Sequence, residues 1–259
     1  MGLDCRNLSK TYGGGDAAVP ALDDVTFRLG DREIACLVGP SGCGKSTLLR
    51  IIAGLLPADS GACAMDGAAA NGRPRNALVF QEQGLFPWMT VRQNVAFGLR
   101  MAGERRRRSA SRAEEAIGRM GLAAFAGRDP HELSVGMRQR VNLARAFLVD
   151  PRILLMDEPF ASLDAQTRLV LQEELLASCE RSHKAVLYVT HDIEEAVLMG
   201  DRVLVMSGRP GRIRDDIAVP LPRPRDLAAR GDPEVAALVE RIWGQLEGEV
   251  RRSLGAGAP

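Results

Sequence analysis

The sequence predicts an α/β protein built on a mainly parallel sheet, with a helical subdomain inserted into that core. Short apolar or β-branched runs alternate with helix-like stretches along most of the 259 residues, which is typical of α/β proteins. Several runs are continuously apolar, as expected for strands that are buried on both faces of a parallel sheet. Between about residues 90 and 149 the strand signals fade and helical ones dominate, which indicates the inserted subdomain.

The individual elements follow in chain order from these runs. The predicted strands are short apolar segments, at residues 25–29, 34–38, 78–80, 153–156, 186–189 and 203–206. The predicted helices are longer segments between them, at residues 45–55, 91–101, 112–121, 135–148, 166–180, 193–199 and 233–254. The arginine run 105–108, followed by Ser109 and Ser111, is predicted to be an exposed connection; phosphate or RNA binding is the alternative.

Domain boundaries are predicted from a change in composition near the end of the chain. A segment rich in proline, glycine and arginine, at 208–225, precedes the last predicted helix. We therefore expect a main domain over residues 1–230, containing the helical subdomain at about 90–149, and a helical tail over 231–259. No internal repeat is visible, so a site that needs two copies of a motif must draw on a second chain.

The overall composition excludes several classes of protein. With 34 basic and 33 acidic side chains the formal net charge is +1, which argues against a dedicated nucleic-acid binder. No apolar run approaches the roughly 18 residues of a membrane span. The N-terminus also lacks a basic segment followed by an apolar stretch, so export is not expected. The five cysteines form no C-x-x-C pair, which favours reduced thiols in a cytosolic protein.

One stretch matches the phosphate-binding motif G-x-x-x-x-G-K-[ST] between a predicted strand and a predicted helix. Its residues are Gly39, Pro40, Ser41, Gly42, Cys43, Gly44, Lys45, Ser46 and Thr47. The glycines let backbone N–H groups converge on phosphate oxygens at the positive end of a helix. Lys45 is suited to the β and γ phosphates, and the Ser46 hydroxyl to Mg²⁺. A thiol beside a lysine and a helix N-terminus is expected to be reactive at Cys43.

Two carboxylates follow the predicted strand 153–156, where nucleotide chemistry occurs at a parallel sheet. Adjacent strand residues point to opposite faces, so Asp157 and Glu158 are expected to have different tasks. Asp157 is suited to water-mediated coordination of Mg²⁺, and Glu158 to orienting or deprotonating the water that attacks the γ phosphate. Without the phosphate motif, this acidic pair would indicate only a solvated turn.

Together these motifs resemble the ATP-binding cassette (ABC) transporter family, and the resemblance covers about residues 3 to 215. Further family motifs occur in the expected order along the chain. They are Tyr12, Gln81, the signature Leu133-Ser134-Val135-Gly136-Met137, then Ser162-Leu163-Asp164 and His191. The resemblance implies a P-loop core of ABC type with an N-terminal antiparallel β part. Taken singly, Tyr12 would indicate a packing aromatic and His191 a helix-cap residue.

The family resemblance assigns a role to each matched residue. It implies that Tyr12 stacks on adenine, that Ser46, Gln81 and Asp157 hold Mg²⁺, and that Glu158, His191 and Gln81 act in hydrolysis. In this family ATP is sandwiched between two subunits. A second copy of the chain would therefore supply four residues in trans, Ser134, Gly136, Met137 and Asp164.

The signature departs from the family at Val135, where glycine is usual. If Ser134 is the helix N-cap, Val135 is the first helical residue and needs only an ordinary negative φ. The Ser134 hydroxyl and the N–H groups near Gly136 and Met137 would still be able to bind an anion. We therefore expect Val135 to alter how closely the second subunit approaches rather than to abolish function.

Three other segments are similar to importers of nitrate, sulfonates, taurine and related small anions: 84–91, 137–140 and 207–213. This similarity implies transmembrane permease subunits contacted through the loop 81–90, a separate substrate-binding protein, and a peripheral position on the cytoplasmic face of the membrane. No nucleic-acid partner is expected. The alternatives are a soluble ABC ATPase that acts as a mechanical switch in DNA repair or translation, and a small-molecule P-loop kinase.

The loop 81–90 contains three large apolar side chains, Leu85, Phe86 and Trp88. Gly84 and Pro87 make a regular helix or central strand unfavourable there, which predicts a loop. These side chains either fasten the helical subdomain to the core or form a groove for a cytoplasmic helix of the permease. The second interpretation, which the resemblance implies, would connect the nucleotide to the permease through Gln81.

Overall fold

The computed structural model describes residues 2–65, 74–81, 84–223, 225 and 227–255. The strands are β1 (Leu3–Tyr12), β2 (Val19–Leu29), β3 (Ile34–Val38), β4 (Ser60–Met65), β5 (Asn76–Val79), β6 (Ile153–Asp157), β7 (Ala185–Val189), β8 (Arg202–Met206) and β9 (Ile213–Ala218). The α-helices are α1 (Lys45–Ile52), α2 (Val91–Met101), α3 (Arg106–Arg119), α4 (Val135–Leu148), α5 (Ala165–Ser182), α6 (Ile193–Met199) and α7 (Pro233–Gly255). The chain divides into two compact units, 1–67 with 172–259, and 68–171.

The first unit contains an antiparallel sheet in which β1 lies between β2 and β4. This sheet confirms the antiparallel β part near the N-terminus. The sequence did not identify β1 or β4, because their exposed and buried residues alternate with irregularities. Such half-buried strands lack the continuous apolar run that marks a fully buried one.

The first unit also contains the parallel strands that carry the phosphate motif. β3 pairs in parallel with β7 on one side and with β8 on the other, and every residue of β3 and β7 is buried. β9 adds an antiparallel edge next to β8. The sequence missed β9 because its central Asp215 and Asp216 depress the strand signal.

In the second unit β5 and β6 pair in parallel, and α2, α3 and α4 pack around an apolar cluster. The cluster contains Val91, Val95, Ile117, Leu122 and Val141 among its buried side chains. The predicted helices 91–101 and 135–148 coincide with α2 and α4. Among all described residues, no helix is both long enough and apolar enough to span a membrane.

The arginine run 105–108 is exposed, as predicted, but the prediction that it forms a connection was wrong. The run enters α3, which begins at Arg106, because arginine is a good helix former and its charge can remain in solvent. Glu104 just before the helix pairs with Arg108 at 2.9 Å and with Arg112 at 2.8 Å. The run is therefore the exposed first turn of a helix.

Candidate nucleotide site

The phosphate loop, residues 39–44, connects the buried strand β3 to α1 within the first unit. Gly42 and Gly44 have φ angles of 74° and 108°, and Gly44 is the N-cap of α1 without any side-chain cap. Left-handed residues between ordinary ones turn successive N–H groups toward one concavity, which suits an anion. A Cβ on Gly44 would lie 2.7 Å from both the Ala21 carbonyl oxygen and Leu22 Cδ2, so only glycine fits there.

Lys45 is the first residue of α1 and is buried, with 6% of its surface exposed. Its Nζ donates hydrogen bonds to the carbonyl oxygens of Gly39, at 2.7 Å, and Pro40, at 3.0 Å. The ammonium is therefore held over the loop rather than in solvent. The next residues, Ser46 and Thr47, are half-buried at the same helix end, whereas Ser41 is exposed at the front of the loop.

The Cys43 thiol is buried, and its pKa is raised rather than lowered as its position in the motif predicts. Its side chain is 1% exposed, and burial raises the pKa of the Cys43 thiol although Lys45 acts in the opposite direction. The Lys45 ammonium lies 3.8 Å from the Cys43 sulfur, which is too little compensation for the lost solvation of a thiolate. The correction follows from burial that the motif alone does not reveal.

Tyr12 lies beside the helix that follows the phosphate loop. Its hydroxyl is 3.3 Å from Thr47 Oγ1, and 40% of the residue remains exposed. An aromatic side chain that is both fixed at one end and open to solvent offers a face on which a base can stack. This geometry agrees with the stacking role better than with simple packing.

His191 follows β7, which is the parallel neighbour of β3, so His191 and the phosphate loop leave the sheet at the same edge. Asp192, not His191, is the N-cap of α6, since its side chain accepts from the Glu195 N–H at 3.1 Å. The helix-cap interpretation of His191 is therefore wrong. His191 itself is exposed.

The sequence analysis did not identify Glu195, which is buried on α6 and bonds to residues on both sides of His191 in the sequence. Its carboxylate accepts from the Tyr188 hydroxyl at 2.6 Å and the Gln172 amide at 2.7 Å, and it also accepts from Thr190 Oγ1. The Thr190 hydroxyl in turn accepts from the Asp192 N–H at 3.1 Å. The available signal was an acidic residue on the otherwise apolar buried face of α6.

The second unit holds the two carboxylates. Asp157 is the last residue of β6 and is 9% exposed. Glu158 is half-buried and lies beyond the strand end with a φ of 44°, so the alternation of strand faces does not set its direction as predicted. Strained backbone of this kind at a residue other than glycine clusters at functional sites. Gln81 follows β5, the parallel neighbour of β6, and is exposed at the same edge.

The signature residues lie at the N-terminus of α4, as the sequence analysis predicted. Ser134 is the N-cap and its hydroxyl accepts from the Met137 N–H at 3.2 Å, so Val135 is the first helical residue. Gly136 faces α5: a Cβ added to it would lie 3.0 Å from Thr167 Cγ2. The small residue therefore keeps this end of α4 close to α5.

Asp164 precedes α5, and its carboxylate accepts from the Thr167 N–H at 3.0 Å. This hydrogen bond holds the pKa of the Asp164 carboxyl below its ordinary value. A carboxylate kept ionised at an exposed helix start remains available to a polar group outside the chain.

The three apolar side chains of the loop before α2 differ in how deeply they pack, although the Phe86 and Trp88 rings are in contact, with centroids 5.7 Å apart. Leu85 packs against the apolar cluster of the helical subdomain. Phe86 is half-buried, with its ring centroid 4.6 Å from that of Phe97 and 5.8 Å from the Arg145 guanidinium carbon. Trp88 is 73% exposed. Packing thus accounts for the positions of Leu85 and Phe86, whereas most of the Trp88 side chain stays exposed. Glu82 and Gln83 lie outside the described residues.

Asn94 fixes the shape of this loop from within α2. It is completely buried, and its side chain accepts from the Phe86 N–H at 2.8 Å while donating to the carbonyl oxygens of Phe86, Met89 and Thr90. Arg145 of α4 donates to the Gly84 carbonyl oxygen at 2.9 Å. The exposed Trp88 is therefore presented on a rigid support.

Comparison with known proteins gives consistent results across family, relatives and structures. The profile of the family described as "ABC transporter" matches residues 22–161. A putative ATP-binding protein of Brucella abortus biovar 1 (strain 9-941) is 45% identical over 93% of this chain and 92% of its own length. The taurine import ATP-binding protein TauB of Rhizobium johnstonii is 50% identical over 75% of each chain. The aliphatic sulfonates import ATP-binding protein SsuB 2 of Burkholderia cenocepacia is 44% identical over 93% of this chain and 85% of its own.

A solved structure gives the same result at the level of the fold. The dimeric structure of MJ0796, a bacterial ABC transporter cassette, superposes with a TM-score of 0.74 at 31% identity, over 84% of this chain and 98% of that one. The same cassette is also known in a post-hydrolysis state bound to ADP and Pi, with a TM-score of 0.73.

Proposed function

The chain belongs to the ABC transporter family and is one of its ATPases, and on that premise we propose that it is the energy-coupling subunit of a membrane importer. The cargo we propose is a small anion such as nitrate, a sulfonate or taurine. The observation that carries this proposal is the similarity to relatives named for taurine import and for aliphatic sulfonates import. Nitrate is included because the segments 84–91, 137–140 and 207–213 together resemble importers of nitrate, sulfonates and taurine.

ATP binding in this proposal rests on the phosphate loop. Gly42 and Gly44 open the concavity of N–H groups, Lys45 contributes a buried positive charge, and Tyr12 offers a stacking face near Thr47. Mg²⁺ fits the oxygen donors that the chain provides, since Ser46 contributes a hydroxyl and Asp157 a buried carboxylate, with Gln81 as the third candidate. When bound, Mg²⁺ supplies charge neutralisation at the β and γ phosphates.

Hydrolysis is assigned to Glu158, with His191 and Gln81 as polar partners of the γ phosphate and the attacking water. The strained backbone of Glu158 supports this role, because such a conformation is retained where the carboxylate must be held in one direction. The buried hydrogen bonds around Glu195 support the role of His191, because they fix the backbone on either side of it.

A second copy of the chain completes each site in this proposal. Ser134, Gly136 and Met137 lie at the positive end of α4, and Asp164 at the start of α5, where they can face the nucleotide of the other subunit. The similarity to a cassette solved as a dimer supports this arrangement. ATP binding would close the dimer, and hydrolysis followed by product release would reopen it.

The dimer would act on separate permease subunits through the loop 81–90, at the cytoplasmic face of the membrane, while a substrate-binding protein selects the cargo. Trp88 is the exposed anchor of that contact. The alternative, a soluble ABC ATPase that serves DNA repair or translation, has less support. The relatives TauB and SsuB 2 are named for import, and a net charge of +1 does not favour nucleic acid.

Substitution of Glu158 by Gln tests the ATPase part of the proposal. We expect Glu158→Gln to retain ATP binding and to lose hydrolysis by roughly 10²- to 10⁴-fold, the usual loss of a general base. The variant should also dimerise when ATP is added, which light scattering with and without ATP would detect. Wild-type turnover in this variant would contradict the assignment of Glu158.

The two tryptophans of the chain provide a matched test of permease coupling. Trp88 is 73% exposed on the loop and Trp243 is 44% exposed on α7. Trp88→Ala should weaken permease co-purification by roughly thirtyfold, about 2 kcal/mol for an aromatic anchor, without changing ATPase activity of the isolated subunit. Trp243→Ala should leave co-purification unchanged; equal losses in both variants would contradict docking through the loop.

A further inference from the structure

The connection between β8 and β9 lies against the phosphate loop. This segment, residues 207–212, connects β8 to β9 and has the sequence Ser-Gly-Arg-Pro-Gly-Arg. The Arg209 guanidinium donates from both Nε and Nη2 to the Gly42 carbonyl oxygen, each at 3.2 Å. The contact joins residues 167 positions apart in the sequence, so no local motif predicts it.

The contact reaches a peptide group of the phosphate loop whose carbonyl and N–H are both hydrogen-bonded within the protein. Gly42 is left-handed, with a φ of 74°, and in such a concavity carbonyl oxygens point outward while N–H groups point inward. The Gly42–Cys43 peptide is held at both ends, since the Cys43 N–H donates to the Pro40 carbonyl oxygen at 3.3 Å. Arg209 therefore fixes, from outside, the orientation of a peptide that forms the concavity.

The segment itself is held too firmly for this contact to be incidental. Gly211 lies so close to the loop that an added Cβ would be 2.2 Å from the Cys43 carbonyl oxygen. Its N–H donates to the Ala21 carbonyl oxygen at 2.9 Å, and its own carbonyl accepts from the Asp23 N–H at 3.0 Å. The segment is thus fastened to β2 on one side and touches two successive residues of the phosphate loop on the other.

The last helix anchors the other end of the segment. Glu249 of α7 is buried at 8% exposure and accepts a hydrogen bond from the Gly208 N–H. The same carboxylate pairs with Arg214 of β9 at 2.7 Å. The position of Arg209 therefore depends on contacts made by β2, β9 and α7.

We propose that Arg209 is a positioning residue for nucleotide binding, which holds the Gly42 carbonyl outward so that the phosphate loop is preorganised for phosphate. This inference rests on the proposed ATP site and adds to it a residue outside the phosphate motif. Backbone N–H groups of such a loop cradle the α and β phosphates, so Arg209 acts on ATP and ADP alike and not on the cleavage step.

Equilibrium binding of fluorescent ATP and ADP analogues to the full chain tests this proposal. Arg209→Ala should weaken both nucleotides by about three- to tenfold, a modest loss because the guanidinium is exposed and partly screened. The KM for ATP should rise by a similar factor with kcat unchanged, and Arg209→Lys should recover part of the affinity because it keeps a charged donor. The melting temperature without nucleotide should stay within about 2 °C of the wild type.

Arg212→Ala is the matched control, because Arg212 lies in the same segment but bonds to Asp23 rather than to the phosphate loop. Unchanged affinity in Arg212→Ala together with the loss in Arg209→Ala would support the proposal. Equal losses in both variants, or wild-type affinity in Arg209→Ala, would overturn it. Failure of the wild-type chain to bind either nucleotide would instead contradict the ATP site itself.

Discussion

Two helix N-termini carry the proposed phosphate-binding residues, and they are built in opposite ways. At α1 the N-cap is Gly44, with a φ of 108° and no side-chain hydrogen bond. At α4 the N-cap is Ser134, with a φ of −65° and a hydroxyl that accepts from the Met137 N–H. Both ends present the positive pole of a helix to the outside.

The difference indicates what each end can bind before a second chain is present. A helix start capped by glycine has no side chain to satisfy its first N–H groups, so an external anion can use them without displacing anything. A helix start capped by serine is already satisfied in part and offers its hydroxyl as well as its N–H groups. We therefore expect α1 to determine nucleotide affinity in one subunit, and α4 to act only when two subunits meet.

The largest effect should come from a charge placed at the α4 end. Gly136→Asp adds a carboxylate at the N-terminus of α4, beside the proposed position of the γ phosphate of the partner's ATP. Like charges about 4 Å apart repel by about 4 kcal/mol at an effective dielectric constant of 20, which lowers ATPase activity by about a thousandfold. ATP binding to the separate subunit, measured by fluorescence titration, should be unchanged.

The matched control for this prediction is Gly136→Ala, because any side chain here also approaches Thr167. An added Cβ would lie 3.0 Å from Thr167 Cγ2, a contact that a shift of a few tenths of an ångström relieves. Gly136→Ala should therefore keep most of the activity. A loss as large as that of Gly136→Asp would show that packing between α4 and α5, and not charge, is the cause.

The second effect, at the α1 end, should appear in nucleotide affinity. Gly44→Ala requires alanine at a φ of 108° and places a Cβ 2.7 Å from the Ala21 carbonyl oxygen. Left-handed backbone costs roughly 1–3 kcal/mol for a residue other than glycine. Because alanine favours a different conformation of the loop, ATP affinity should fall by about five- to 150-fold. Titration with a fluorescent ATP analogue, together with thermal melting, would measure both consequences.

Gly54→Ala separates backbone strain from damage to the phosphate loop. Gly54 follows the same helix with a φ of 74°, and a Cβ there would meet no atom within 4 Å. We expect Gly54→Ala to lower the melting temperature without changing ATP affinity. If Gly44→Ala also changed only the melting temperature, the difference between the two helix N-termini would have no bearing on nucleotide binding.

The sequence predicted the buried elements best, and the reason is local. The predicted bounds of β3, α2, α4 and α6 coincide with the structure. The apolar run of β3 ends at a glycine, and each of the three helices begins after a threonine, serine or aspartate N-cap. Half-exposed strands such as β4 and β9 were missed because polar and small residues interrupt their pattern. Local composition is thus sufficient where burial is continuous and fails at edges.

The candidate site shows the same division between local motifs and tertiary contacts. The phosphate motif predicted the glycine turn, the start of α1 and the place of Lys45 at that helix start, since all of these depend on neighbouring residues. The burial of Cys43, the hydrogen bond of Glu195 to Gln172 and the contact of Arg209 with Gly42 depend instead on tertiary packing. The partners Phe97 and Arg145 of Phe86 were missed for the same reason, because they lie on later helices.

The smallest effect should come from Val135, the departure from the family signature at the α4 end. Val135 is 38% exposed and is the first helical residue behind the Ser134 cap, so its isopropyl group faces outward without holding the helix together. Val135→Gly removes that group at a cost of a few tenths of a kcal/mol in helix propensity. Activity should change by less than about tenfold, or roughly 1.4 kcal/mol.

The change caused by Val135→Gly should appear in how ATPase activity depends on protein concentration, because only the approach of the second subunit is affected. Val135→Ala shortens the side chain and keeps the helix, so it should change that dependence in the same direction. A changed KM for ATP with no change in that concentration dependence would contradict the assignment of α4 to the contact between subunits.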